Sequence, residues 1–131
     1  MIQFTIPYPK DRKRFAQEYG LNAYYSGVHW SVRKRRAEAW HWIVLEALQR
    51  QNIRKRIFKK PVQISFFWDD RMDIDNHAFI AKCTVDALKG YLLEDDSRRY
   101  FWAVSHEFWD GGCIGVIVKE SKAESPKGTT K

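Results

Sequence analysis

Asp73 and Asp75 stand two residues apart in Arg71-Met72-Asp73-Ile74-Asp75-Asn76, just beyond an apolar run, and Asp95 and Asp96 follow in Glu94-Asp95-Asp96-Ser97. Two like charges ~4 Å apart repel by roughly 4 kcal/mol at an effective dielectric of ~20, so carboxylates gathered by folding favour a cation among them. In an extended segment, residues two apart project from the same side, about 6.6 Å apart, and can face one cavity. Mg²⁺ takes hard oxygen ligands and keeps several waters, so two or three carboxylates suffice to hold it. Such an ion orients and acidifies a water and polarises a phosphoryl oxygen. Lys82, between the two acidic groups, can add positive charge where a phosphoryl transition state gains negative charge. The stretch therefore reads as a divalent-metal site on a nucleic-acid-binding scaffold.

The elements that must position these residues are legible around them. Ile2, Phe4 and Ile6 alternate with Gln3 and Thr5 as a first strand, closed by Pro7 and Pro9. Lys10 to Gly27 reads as a long loop carrying Lys10, Arg12, Lys13 and Arg14, then Asn22, Tyr24 and Tyr25, suited to embrace a nucleic acid. Ser31 can cap a helix running to about Gln51, with Ala37, Trp40, Val44, Ala47 and Leu48 facing the core. Arg33, Lys34, Arg35 and Arg36 crowd its first turn, where cations oppose the helix dipole, and phosphate contact explains that placement. Val62, Ile64, Phe66 and Trp68 form one face of a strand that delivers the chain to the Asp73/Asp75 pair. Asp75 or Asn76 can cap a second helix reaching Lys89, stopped by Gly90. At ~100° per residue, Asp75, Lys82 and Asp86 fall within about 20° of one line on that helix. His77 reads as a surface residue of the same helix. The alternation from Tyr100 to Phe108 predicts a strand, Asp110-Gly111-Gly112 a hairpin turn, and Cys113 to Lys119 the returning strand.

The expected fold is a small single α+β domain over residues 1–119. It has a mixed sheet of about four strands and two main helices in the order β-α-β-α-β-β. Residues 120–131 are polar and read as a disordered tail. Charge divides unevenly: residues 1–60 hold 14 Lys and Arg against 4 Asp and Glu, whereas residues 61–131 hold 9 against 12. A basic half can hold phosphates while an acidic cluster holds metal. Cys83 and Cys113 have no zinc-ligand spacing and read as buried free thiols in a reducing, cytoplasmic setting. No run approaches the ~20 apolar residues of a membrane span. There is no Gly-rich phosphate loop, so no nucleotide cofactor is expected, and no setting for a nucleophilic serine.

Asp73-Ile74-Asp75-Asn76, then Lys82, then Asp86-Ala87-Leu88, then Asp95-Asp96-Ser97 together resemble the RusA family of Holliday junction resolvases, often encoded by phages and prophages. The opening strand with Phe4-Thr5-Ile6-Pro7, the basic first helix and the closing hairpin also look like the family's, so the resemblance covers most of residues 1–119. It implies a homodimer that binds four-way DNA junctions and cuts two opposing strands symmetrically with Mg²⁺ or Mn²⁺. It further implies that Asp73, Asp75 and Asp96 bind metal, with Asp95 the other candidate of its pair, and that Lys82 is the catalytic lysine. The commoner family pattern places that lysine four residues after the second Asp, where this chain has Phe79. A local insertion before Lys82 accounts for the shift, because the four-residue interval from Lys82 to Asp86 is kept. Lys10, Arg12, Lys13, Arg14 and Arg33 to Arg36 would lie along the DNA arms. A nuclease for another branched DNA, and a non-catalytic branched-DNA or RNA-binding module with a structural acidic cluster, are the alternatives.

Overall fold

The computed structural model describes residues 1–24 and 27–120. Its elements are β1 (Ile2–Ile6), α1 (Arg12–Tyr19), α2 (Leu21–Tyr24), α3 (Trp30–Arg50), β2 (Val62–Trp68), a 3₁₀ turn (Ile74–His77), α4 (Ala78–Leu88), β3 (Phe101–Phe108) and β4 (Ile114–Glu120). The α+β class and the four-stranded mixed sheet are as expected. The strand order is β1-β4-β2-β3, with β1–β4 and β2–β4 antiparallel and β2–β3 parallel.

β2 alternates buried and half-buried along its whole length. Val62, Ile64, Phe66 and Trp68 are all fully buried beneath the helices. α3 presents Trp40, Val44, Ala47 and Leu48 to the same core, at the i, i+4, i+7, i+8 spacing that makes one apolar stripe. It crosses α4, where the indole N–H of Trp40 donates to Thr84 Oγ1 at 2.9 Å and so satisfies both buried polar groups. α4 buries Ile80, Cys83, Ala87 and Leu88 on its inner face. Gly90 then adopts φ 78°, a conformation that costs glycine little, and turns the chain away.

Several boundaries differ from the expectation. The Lys10–Gly27 stretch is not a loop: Asp11 caps α1 by accepting from Arg14 N at 2.9 Å, and Phe15 and Tyr19, one turn apart, bury against Trp40. Basic side chains masked a helix whose inner face is two aromatics. Tyr25, with Ser26, lies outside the described residues. α3 is capped by His29, whose ring nitrogen accepts from Ser31 N, and not by Ser31. Neither Asp75 nor Asn76 caps α4, because both lie inside the 3₁₀ turn that precedes it. The closing strands are not a hairpin. β4 inserts between β1 and β2, while β3 pairs with the far side of β2, so the Asp110–Gly112 turn carries the chain across the sheet end. Gly112 N donates to Asp69 Oδ2 at 2.7 Å and Trp109 N to Trp68 O at 3.0 Å, which ties that crossing to the end of β2. Glu120 closes β4, and the expected tail beyond it lies outside the described residues. Among the described residues, no helix is long and apolar enough to cross a membrane.

Candidate functional site

The exit of β2 is fixed before the DxDN residues are reached. Asp69 accepts from Gly112 N, and its carbonyl accepts from Arg12 Nη1 at 2.7 Å. Asp70 turns inward and receives the Tyr8 hydroxyl at 2.8 Å, Met72 N at 3.0 Å and His77 Nε2 at 2.9 Å. His77 is fully buried, stacks on Trp68 with ring centroids 4.3 Å apart, and places Nδ1 3.0 Å from the Ile74 carbonyl. Both ring nitrogens thus face oxygen acceptors. This corrects the expectation of a surface histidine: the 3₁₀ turn winds tighter than an α-helix and directs residue 77 into the sheet. Burial pushes the Asp70 carboxyl upward, but the hydrogen bonds from His77 and Tyr8 outweigh it and hold it below the usual range. Burial, and then the hydrogen bond to Asp70, raise Tyr8 well above an ordinary phenol. Sequence reasoning missed this network. Tyr8 lies 62 residues from Asp70, and nothing in a local pattern joins them.

With this anchor in place, Asp73, Ile74 and Asp75 face solvent. Asn76 accepts from Asn22 N at 3.0 Å and so ties the turn to α2. Gly20, at the α1–α2 junction, permits that approach, since a Cβ there would meet Ala16 O at 2.7 Å and Asn76 Nδ2 at 2.9 Å. Asp73 and Asp75 line an open cleft of about 690 Å³ with Arg71 and Phe108. A second cleft shares Asp70, Arg71 and Met72 with it and is flanked by Arg12 and Lys13 of α1. Exposed cations therefore border the exposed carboxylates.

The later acidic pair has a different setting. Asp96 Oδ2 lies 3.8 Å from Lys82 Nζ and 3.2 Å from Lys89 Nζ. Asp86 Oδ1 lies 3.6 Å from Lys82 and 3.2 Å from Lys89. The Lys89 hydrogen bond holds Asp96 below the usual carboxylate range, and the bond to Asp86 raises Lys89. Asp95 is exposed, and Asp96 is the member of the pair that lies against Lys82 and Lys89. Asp75 lies in the 3₁₀ turn before α4 and not on the helix that carries Lys82 and Asp86. The 100° arithmetic assumed one helix through residue 75, but α4 begins at Ala78.

Among the described residues, no three His, Cys, Asp or Glu side chains are placed to hold a metal ion. Asp73, Asp75, Asp95 and Asp96 thus do not converge within one chain, and as a ligand set in a single chain they do not fit Mg²⁺. Of the basic residues, Lys10, Arg12, Lys13, Arg14, Lys34 and Arg35 are exposed. Arg33 and Arg36 are partly engaged, Arg33 donating to the Val28 carbonyl at 3.1 Å and Arg36 to the Glu18 carbonyl at 3.4 Å. Cys83 is buried, which pushes its thiol up to about 12, and Cys113 is half-buried. No family model, curated protein or solved structure matches the chain.

Proposed function

We propose that the chain is an endodeoxyribonuclease of branched DNA, with the four-way junction as its first substrate, as the resemblance to RusA resolvases implies. The observation that carries this is the Asp73–Asp75 segment. Two solvent-facing carboxylates leave the end of a central strand, fastened from below by the buried Asp70–His77 pair and bordered by basic α1. Rigid support of exposed carboxylates beside cations suits a phosphodiester, whose backbone needs holding and whose reaction needs precise placement. The exposed cations of α1 and the start of α3 hold phosphates of the arms. Lys82 offers positive charge to a phosphoryl oxygen once DNA competes with its half-buried partners, Asp86 and Asp96. Dependence on Mg²⁺ or Mn²⁺, a homodimeric state and a cytoplasmic setting belong to the same proposal.

A synthetic four-way junction with mapped cut sites tests it. Paired symmetric cuts are expected with Mg²⁺ or Mn²⁺, with linear duplex left largely intact. Firm junction binding without cleavage over a wide range of both metals would sink the enzymatic part. The second reading, a non-catalytic branched-DNA or RNA-binding module, is favoured by one observation: lysines already neutralise Asp96. It predicts that outcome. A panel of flap and fork substrates separates junction resolution from action on other branched DNA.

A further inference from the structure

Two segments carry a second group of cations. Between α3 and β2 the chain holds Arg54, Lys55 and Arg56, then Lys59 and Lys60, and before β3 it holds Arg98 and Arg99. All are exposed. None makes an ion pair among the described residues, unlike Lys82 and Lys89. The fold ties the two segments together. Arg56 N donates to the Tyr91 carbonyl, Phe58 N to the Leu92 carbonyl and Val62 N to the Tyr100 carbonyl, each at 2.9 Å. Val62 also pairs with Phe101, so Lys59 and Lys60 enter β2 where Arg98 and Arg99 enter β3. Glu94, Asp95 and Glu120 are the carboxylates of this end that make no ion pair, three against seven cations.

This group lies apart from the basic residues of α1 and the start of α3. The 21 residues of α3 span ~30 Å at 1.5 Å per residue, with Arg33 to Arg36 near one end and Arg54 just beyond the other. That is about three Debye lengths at 0.1 M salt, so the two groups act as separate fields. Likewise, Lys59 and Lys60 precede β2, whereas Arg12 of α1 is bonded to the Asp69 carbonyl beyond its far end. Seven like charges without counter-charge weaken the compact state, and a polyanion offsets that repulsion. Three of the arginines rest on ring faces. Arg56 Cζ lies 5.5 Å from the Phe58 centroid, Arg98 Cζ 5.0 Å from that of Trp102 and Arg99 Cζ 5.6 Å from that of Tyr100. Stacking orders a guanidinium plane and leaves its N–H donors free to grip phosphate in a bidentate fork. A lipid surface needs an apolar side to insert. Ile53 and Ile57 are half-buried and Phe58 is buried, so the first segment offers none.

We propose that this end of the molecule is a second nucleic-acid surface, at which these seven cations hold a stretch of phosphate backbone apart from that beside Asp73 and Asp75. Backbone contacts of this kind fix register and orientation and carry no sequence information. The surface rests on reading the chain as one that acts on DNA.

The test uses the full chain and a synthetic four-way junction without divalent metal, so that binding is read apart from cutting. The quadruple variant Lys59→Gln/Lys60→Gln/Arg98→Gln/Arg99→Gln changes only exposed side chains, and circular dichroism checks its folding. Its junction affinity at about 0.1 M salt should fall about tenfold or more. The slope of log affinity against log salt should become shallower by about 3, the counterion release of four lost phosphate contacts. In the wild type, acetylation of Lys55, Lys59 and Lys60, read by mass spectrometry, should slow severalfold when the junction is bound. Unchanged affinity and slope in the variant overturn the proposal, as does equal acetylation with and without DNA. So does binding to vesicles of phosphatidylserine and phosphatidylcholine that the variant loses while it keeps its DNA affinity. Protection of these lysines without junction cleavage in Mg²⁺ keeps the surface and ends the nuclease reading. Cleavage by the wild type without protection does the reverse.

Discussion

The two ends of α4 carry the same kinds of residue and hold them by different physics. At its start, Asp70 and His77 are buried, multiply hydrogen-bonded and continuous with the Trp68 stack. At its far end, Asp86, Asp96, Lys82 and Lys89 form a four-member ion-pair group on the surface. A buried carboxylate is costly to strip of a hydrogen-bond partner, because it is left without water or replacement. Exposed pairs are worth ~0–1 kcal/mol and are screened by salt. The first end is therefore a fixed support, and the second can exchange its partners for a phosphate at little cost. A site that must hold carboxylates still while a lysine changes partner needs both.

Asp75→Asn gives the largest contrast. Cleavage of a four-way junction should fall to background, while junction affinity stays within a factor of about two, because the phosphate contacts are unchanged. Equal loss of binding and cutting would remove Asp75 from the chemistry and blur the distinction between support and site.

His77→Ala should cost about 3 kcal/mol of folding stability, read by urea unfolding, because it leaves Asp70 buried beside a void. An effect under ~0.5 kcal/mol, the size expected at the exposed end, would break the comparison. Tyr8→Phe removes one donor to Asp70 and the acceptor of Asp69 N, and should cost ~1–2 kcal/mol by the same measurement.

The pH dependence sharpens the contrast further. The folded-state pKa of Asp70 is lowered, so its contribution to stability is fully present above the ordinary carboxylate value of ~3.9 and is lost as pH falls through the folded value. Acid titration of the wild type should show this loss below about pH 4, and Asp70→Asn should flatten it. The smallest effect belongs to Lys89→Met. Its stability change should stay within ~0.5 kcal/mol, since the pairs it breaks are partly exposed and shared with Lys82.

Local pattern was enough for much of this fold. β2 is readable because a strand with one buried face must alternate, and Val62 to Trp68 does. α3 is readable because a helix lying on a core must repeat apolar residues near every 3.6 positions. The DxDN segment and the Asp95-Asp96 pair were visible as an acidic island, and folding brings Lys82 to 3.8 Å from Asp96. α1 was hidden, since its two inward aromatics are outnumbered by cations.

What the amino-acid order by itself determined is therefore the set of elements with a strong period and the residue types able to do chemistry. Tertiary structure alone decided which strands are neighbours, because β4 reaches β2 by hydrogen bonds that no turn sequence specifies. It alone turned His77 inward onto Asp70, since a 3₁₀ turn and an α-helix over the same residues point that ring to different sides. It also left Asp73, Asp75 and Asp96 without a common metal-sized site among the described residues, for spacing along a chain measures contour and not distance.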